Sequence, residues 1–205
     1  MKQNERILRM AQLAMFSALI VVLQVFGGWI RIGDLTFSLV LVPIVIGAIL
    51  FGMGGGAFLG FVFGIVVTVM SATGMNGALV TMMWTKNPFV TTFLCIAKGV
   101  LAGLAAAAVY KALSKIEKLP KIVATVVASV TAPIVNTGIF LLGMFTYYYD
   151  ILEWFAGAAG FTNIILAALV GLVGINFVVE FLLNLVLGPT IHRVITVIKT
   201  KKLVK

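Results

Sequence analysis

Charged side chains are scarce in this 205-residue chain: 10% of its residues are Asp, Glu, Lys or Arg, whereas 62% are hydrophobic. A soluble domain usually carries about 25% charged residues. Because folded surface area grows steeply with mass, a soluble chain of this size could not hide so much apolar surface. The shortage of charge therefore excludes an ordinary soluble domain and predicts an integral membrane protein.

Cysteine and histidine occur once each. The single Cys95 excludes an internal disulfide framework and a multi-cysteine metal site, and its apolar surroundings favour a small core residue. His192 lies beside Arg193 at the end of the last apolar run, so we interpret it as interfacial. The sequence has no His/Glu metal spacing, no nucleophile-elbow serine and no Walker A loop. We therefore expect no enzyme: no catalytic residue, no metal, no cofactor and no ATP hydrolysis by this chain alone.

Long apolar runs are abundant, and Leu35–Thr85 contains no charged residue at all. One spanning helix takes about 20 apolar residues, so this stretch alone accommodates two spans. We predict an all-α integral membrane bundle of about six transmembrane helices, forming a single transmembrane domain over residues 1–205. The predicted spans are roughly Leu8–Gly28, Phe37–Phe51, Gly56–Ala72, Pro88–Tyr110, Ile122–Tyr147 and Ile165–Pro189.

Two segments between the spans have distinctive compositions. Gly52–Gly56 reads Gly-Met-Gly-Gly-Gly with no polar loop, which predicts a tight reversal and a hairpin of the second and third spans. Tyr147–Ala159 mixes aromatic residues with Asp150 and Glu153, as in an interfacial loop or a short amphipathic helix. The first span has the basic flank of a signal peptide, but no small-residue cleavage site follows it at Trp29–Arg31. We therefore expect a retained helix.

The placement of the basic residues predicts the orientation. Of the 15 Lys and Arg residues, twelve precede the first span, separate the fourth from the fifth, or follow the sixth. Six spans place all twelve on one face, which the positive-inside rule makes cytoplasmic, together with both termini. Arg31 and Lys86 fall on the other face, and Lys98 lies inside a span. The formal net charge of +9 is therefore a topological signal, and we expect no nucleic-acid partner.

Two ionisable residues, Lys98 and Glu180, lie deep in the fourth and sixth spans. Each would cost about 2.5–3.5 kcal/mol if it faced lipid at the midplane, so both must face the bundle interior. There they either pair with each other or meet a polar ligand. Amides and a threonine in neighbouring spans either hold helices together or converge on a polar cavity that opens to the outside. The predicted substrate-binding residues are Asn87, Thr91, Lys98, Asn136, Asn176 and Glu180.

Small residues recur at a spacing of four in three spans and allow helices to approach closely. The glycine ridges, Gly56, Gly60 and Gly64 in the third span and Gly99 and Gly103 in the fourth, are expected to pack within the chain. The first span has a comparable strip of alanines that could instead face another subunit. This strip consists of Ala11, Ala14 and Ala18.

Several short fragments, in this order along six spans, resemble a substrate-binding (S) component of the energy-coupling factor (ECF) vitamin transporters. They are Ala14-Met15-Phe16-Ser17-Ala18, Gly47-Ala48-Ile49-Leu50-Phe51-Gly52, Lys98-Gly99-Val100-Leu101-Ala102-Gly103, Val135-Asn136-Thr137-Gly138, Asn176-Phe177-Val178-Val179-Glu180 and Leu187-Gly188-Pro189-Thr190-Ile191. The resemblance implies a small membrane protein that binds a vitamin near the outer face, under the loop between the first two helices. It also implies docking onto a shared transmembrane coupling subunit, driven by two ATPase subunits, with Ala14 and Ala18 facing the coupling subunit.

The identity of the vitamin stays open between pantothenate, riboflavin and folate. Lys98 suggests an anionic ligand, which makes pantothenate the leading choice. Two other classes of function compete with a transporter subunit. One is a structural or signalling membrane protein whose inward amides only pack helices, and the other is an intramembrane enzyme, which the missing nucleophile and base disfavour.

Overall fold

The computed structural model describes residues 2–27, 31–32, 35–36 and 39–203. The predicted boundaries at Gly28 and Phe37, the rejected cleavage site at Trp29 and the outer-face charge Asp34 lie outside the described residues. The helices, in chain order, are α1 (Lys2–Gly27), α2 (Leu41–Ala72), α3 (Ala78–Lys86), α4 (Pro88–Leu113), α5 (Lys121–Thr146), α6 (Tyr149–Ala158), α7 (Ile164–Leu166) and α8 (Gly174–Leu203). A π-helical turn, Ala167–Leu172, joins α7 to α8. Two short strands, β1 (Arg31–Ile32) and β2 (Leu35–Thr36), pair antiparallel between α1 and α2, with Arg31 opposite Thr36.

Five helices in the described part of the chain are long and apolar enough to cross a membrane. They are Arg6–Gly27, Leu41–Ala72, Pro88–Leu113, Lys121–Thr146 and Asn176–Ile198. This confirms the all-helical membrane class. The sequence predicted about six spans, and the difference lies in α2, which includes both the second and the third predicted span.

Within α2, the backbone leaves the helical conformation at Gly52, where φ is 74° and ψ is −164°. Such a positive φ suits glycine, which has no Cβ to clash. In a continuous helix, Gly47 and Leu59 would lie ~18 Å apart, yet a Cβ at Gly47 would overlap the Leu59 side chain. α2 is therefore a hairpin with a first arm (residues 41–51) and a second arm (residues 53–72). The reversal predicted from the glycines is confirmed, and the number of membrane crossings stays a prediction.

The long helical segments alternate in direction around the bundle. The second arm packs antiparallel to α4, because Gly56 faces Gly103 while Gly60 faces Gly99. The end of α5 meets the start of α4, and α8 runs back along α5 with Gly188 beside Val126. The start of α1, the turn at Gly52, the α4–α5 connection and the end of α8 therefore share one end of the bundle. We call this the basic end, and we call the opposite end, which carries α3 and α6, the cap end.

The segment Tyr147–Ala159 was predicted as an interfacial loop or short helix, and α6 confirms a short helix there. α3 is a helix that the sequence pattern did not predict. Its residues contribute to a second apolar cluster at the cap end, where Met83, Leu94, Met144, Tyr148 and Leu152 are buried together. α3 and α6 thus close the cap end of the bundle.

Candidate functional site

A cavity of about 600 Å³ lies in the bundle and is lined by residues of α1, α2, α3, α4, α5, α6 and α8. This volume falls within the range that suits a small-molecule ligand. Four of the six residues predicted to bind substrate line it, and they come from three different helices: Lys98, Asn136, Asn176 and Glu180. These four residues therefore lie around one cavity, and their binding of a substrate stays a prediction.

Lys98 reaches the cavity from α4 and lies against aromatic rings. Its Nζ is 5.4 Å from the centre of the Phe140 ring and 5.8 Å from that of Phe63. No described residue forms a hydrogen bond or an ion pair with this ammonium group. Its three N–H donors are therefore available to a ligand, while the ring faces partly stabilise its charge.

Glu180 faces the same cavity from α8 and is only 5% exposed. Its electrostatic neighbours are Lys98 and Asn176. Among the described residues, the only ion pair within 4 Å is Lys86–Asp150, so Lys98 and Glu180 interact at longer range. A half-buried cation and a buried carboxylate thus share one cavity without direct contact.

The amide oxygens of Asn136 and Asn176 are buried, and neither accepts a hydrogen bond within the described chain. Leaving such an acceptor unsatisfied costs about 1–3 kcal/mol. Neither oxygen has accessible surface in this conformation, so a ligand donor reaches it only after the side chain rotates. The cavity therefore combines a free cationic donor with two amide side chains in its wall.

Asn87 and Thr91 were predicted to face the ligand, but neither lines the cavity. α4 begins at Pro88, so Asn87 is its N-cap and accepts hydrogen bonds from the backbone N–H groups of Phe89 and Val90. Its Nδ2 also donates to the Tyr147 hydroxyl at 2.7 Å. The Thr91 hydroxyl is fully buried and bonds the Met83 carbonyl oxygen at 2.8 Å. Both side chains hold the start of α4 against neighbouring elements of the cap end.

The closing elements α3 and α6 are joined by Lys86, which forms an ion pair with Asp150 and donates to the Tyr147 carbonyl oxygen at 3.2 Å. The hydrogen bond from Lys86 holds the pKa of Asp150 below its ordinary value. Both residues are partly or largely exposed. They connect the two short helices that cover the cavity.

Sequence reasoning missed several polar or aromatic lining residues, among them Gln24, Asn76 and Phe155. Gln24 and Asn76 lie near the ends of apolar segments, where an amide is common. Phe155 belongs to an aromatic group that an interfacial belt explains equally well. Their role depends on contacts between distant segments, so no local pattern marks them.

The predicted interface residues Ala11, Ala14 and Ala18 are all exposed on α1. Only 11% of the spanning part of α1 is buried, compared with 39% in α2 and in α4. The rest of the described chain therefore leaves the alanine strip largely uncovered.

No group of three or more His, Cys, Asp and Glu residues is arranged to hold a metal ion in the part of the chain that the structure describes. A search of curated proteins found no significant match to the sequence. The sequence does match the protein family described as "ECF transporter, substrate-specific component" over residues 8–192. This family consists of membrane-embedded transport components and not of catalytic enzymes. The fold and the polar cavity agree with that assignment, and the chain belongs to the family of ECF transporter substrate-specific components.

Proposed function

We propose that this chain captures a water-soluble vitamin from outside the cell in the cavity around Lys98. It then delivers the vitamin through a shared transmembrane coupling subunit driven by two ATPase subunits. Membership of the family supports the general role. The observation that carries the proposal is a lysine without a hydrogen-bonding partner among the described residues, in a cavity of about 600 Å³. A helix-packing role alone would not require such a cavity.

Pantothenate is the substrate that we propose first. Its single carboxylate suits the Lys98 ammonium, and its hydroxyl and amide groups suit the amide side chains of Asn136 and Asn176 in the cavity wall. A hydrogen bond to a charged group contributes about 1.5–3 kcal/mol, so the lysine would favour an anion over a neutral ligand. Riboflavin and folate are the alternatives, because the aromatic residues that line the cavity, among them Phe140 and Trp154, would also accept a flat ring.

The proposed topology has six membrane crossings, with the basic end in the cytoplasm. Each arm of the α2 hairpin counts as one crossing in this arrangement, and both termini lie inside. The alternating helix directions and the positive-inside rule support it. Reporter fusions at Lys205 and within residues 115–118 should report a cytoplasmic location, and a fusion near Asp150 an outside location. An outside location for Lys205 would contradict the topology.

The proposed surface for the coupling subunit is the exposed strip of Ala11, Ala14 and Ala18 on α1. Lipid tails are as apolar as the helix surface, so the hydrophobic effect does not drive helices together inside a membrane. They associate instead where small residues allow close backbone approach. The exposure of the strip supports contact with another helix.

Mass spectrometry of small molecules released from the purified protein tests the proposal directly. We expect a bound vitamin, with pantothenate first among the candidates. Cys95 gives an independent readout because it is the single cysteine of the chain and lines the cavity. Pantothenate, riboflavin or folate should slow its reaction with a thiol reagent, and Cys95→Ala measures background labelling. Protein that carries no vitamin, and whose Cys95 labelling responds to none of the three, would contradict the proposed function.

A further inference from the structure

Asn76 is an amide on the cavity wall, in the turn between α2 and α3. It lies between Gly74 and Gly77, whose φ angles are 76° and 95°. Positive φ at these two positions suits glycine and turns the chain sharply on either side of the amide. The turn brings Asn76 back against the last two turns of the second arm.

The hydrogen bonds of Asn76 fix which end of its amide faces the protein. Its Nδ2 donates to the Val67 carbonyl oxygen at 3.0 Å and to Ser71 Oγ at 3.2 Å. Ser71 Oγ gives its one proton to the same carbonyl oxygen at 2.7 Å, so it can only accept from Asn76. A reversed amide would place Oδ1 against the Val67 oxygen and lose both bonds. The nitrogen therefore faces α2, and Oδ1 is the free end.

No described residue donates a hydrogen bond to Asn76 Oδ1. The anchor that orients it is rigid, because Ser71 is fully buried. Asn76 thus presents an oriented acceptor whose direction is set before any ligand binds.

The free acceptor of Asn76 and the free donors of Lys98 lie at different depths. Gly60 packs against Gly99 and Gly64 against Ile96, so Lys98 lies level with residues 61–62 of the second arm. Asn76 is bound to Val67 and Ser71, nearer the cap end. At 1.5 Å per residue, the two backbone levels are ~10 Å apart along the bundle.

We infer that Asn76 is a specificity-determining residue of the cavity, whose Oδ1 accepts a hydrogen bond from a hydroxyl or N–H group of the substrate at the cap end. This inference rests on the proposed function and narrows its substrate class. The substrate has an acidic group for Lys98 at one end and a hydrogen-bond donor for Asn76 at the other. Pantothenate has this arrangement, because its carboxylate and its hydroxyls lie at opposite ends of an extended chain.

Calorimetry with two probes tests the inference: pantothenate, and the analogue of pantothenate that lacks its terminal hydroxyl. Asn76→Ala should weaken pantothenate binding about three- to tenfold, the effect of one neutral hydrogen bond. The analogue should bind the wild type and Asn76→Ala with equal affinity, because it lacks the terminal hydroxyl, which is the donor that we assign to Asn76. Equal weakening of both probes, or unchanged pantothenate binding, would overturn the inference.

Thr81→Ala is the matched control for damage to the turn. Thr81, in the first turn of α3, donates from Oγ1 to the carbonyl oxygen of Gly77 at 2.8 Å, and Gly77 belongs to the same turn as Asn76. Thr81 itself does not line the cavity. We expect this variant to bind both probes like the wild type, and melting temperatures of both variants report any loss of stability. If Thr81→Ala weakens pantothenate as much as Asn76→Ala does, the Asn76 effect is structural and the inference fails.

The outcomes also separate this inference from the proposed substrate. If the wild type binds folate and not pantothenate, the pantothenate proposal fails alone, because folate also carries carboxylates. Binding of riboflavin alone would in addition overturn the acidic group that we assign to Lys98. Both of those vitamins also carry hydroxyl or N–H donors, so Asn76→Ala should still weaken their binding about three- to tenfold. Unchanged affinity for the vitamin that binds would then overturn the inference. Failure of all three vitamins to bind would overturn both proposals.

Discussion

The glycine ridges of α2 and α4 and the alanine strip of α1 carry the same sequence pattern but have opposite surroundings. A Cβ at Gly60 would overlap the carbonyl oxygen of Gly99, and a Cβ at Gly103 would overlap that of Gly56. The two backbones are therefore in direct contact along this interface. Ala14 and Ala18 are exposed instead. Small residues thus mark a potential for close approach, and the bundle itself uses only one of the two surfaces.

The difference follows from the neighbours that each helix has. The spanning parts of α2 and α4 are each 39% buried, whereas that of α1 is 11% buried, and α1 contacts α2 through pairs such as Phe16–Phe51. A glycine interface that is already filled stabilises the subunit. A strip that remains open is available for assembly with another protein.

The largest loss of stability is expected when a side chain is added at the glycine interface between the second arm and α4. Gly60→Val should abolish recovery of folded protein, and Gly60→Ala should lower its stability, because the Gly99 carbonyl oxygen would have to move. Overpacking of this kind typically costs about 1–3 kcal/mol, and a rigid backbone neighbour places Gly60→Ala at the upper end. Melting temperature and monodisperse yield in detergent would measure the loss.

Gly138→Ala is the control for this prediction, because a Cβ at Gly138 meets no atom within 4 Å. We expect this variant to be at least as stable as the wild type. Comparable melting temperatures for Gly60→Ala and Gly138→Ala would break the contrast between a packed and an open small-residue surface.

The next largest effect, on assembly with the coupling subunit, is expected at the exposed alanine strip of α1. Ala14→Trp combined with Ala18→Trp should abolish transport and co-purification with the coupling subunit, while binding of the vitamin stays nearly unchanged. Pull-down and uptake assays measure the first two quantities, and calorimetry the third. Met15→Trp with Leu19→Trp, on a different exposed face of α1, should preserve assembly. Lost binding with intact assembly would mean that the alanines pack inside the chain.

A third effect should be confined to the cavity and leave both small-residue surfaces intact. Lys98→Met should weaken pantothenate binding about ten- to a hundredfold, because a charge-assisted hydrogen bond is lost. Calorimetry on the purified subunit measures the change, with Glu180→Gln as the companion variant. Unchanged affinity in Lys98→Met, together with lost thermal stability in both variants, would show that the two residues serve the structure alone.

The smallest effect is expected at the exposed Lys86–Asp150 contact between α3 and α6. Because Lys86 lowers the folded-state pKa of Asp150, the contact stabilises the fold above the ordinary pKa of an aspartate. This stabilisation is lost as the pH falls through the lowered pKa. Lys86→Met should therefore reduce the melting temperature slightly at neutral pH and not in strong acid. A difference that persists in acid would contradict this, and Glu153→Gln in α6 serves as the control.

Much of the fold was predictable because its signals are local. Charge-free runs predicted the membrane class, and the glycines at 52–56 predicted the reversal that the structure has at Gly52. Lys98 and Glu180 were expected to face inward because the cost of facing lipid acts on each side chain separately. Both line the cavity. α3 was missed because nine residues with no strong apolar pattern give little helical signal.

Two asparagines show why the site was only partly predictable. Asn87 was predicted to bind the substrate, yet α4 begins one residue later and uses this side chain as its cap. Asn76 lies in a turn between two helices, where helical spacing gives no information about which way a side chain faces. Its hydrogen bonds to Val67 and Ser71 nevertheless orient it on the cavity wall. Which amide binds the backbone and which stays free depends on where each helix starts and ends.

The sequence by itself determined that this protein lies in a membrane, that the chain turns tightly at Gly52, and that Lys98 and Glu180 face inward. Each follows from the free energy of a single residue in the bilayer or in a given backbone conformation, which does not depend on residues that are distant in the chain. The tertiary structure alone decided which small-residue ridge is filled and which stays exposed, and that Lys98 and Glu180 share a cavity without touching. Those outcomes depend on how helices far apart in the chain come together, and the packing of one helix against another is a property of the pair.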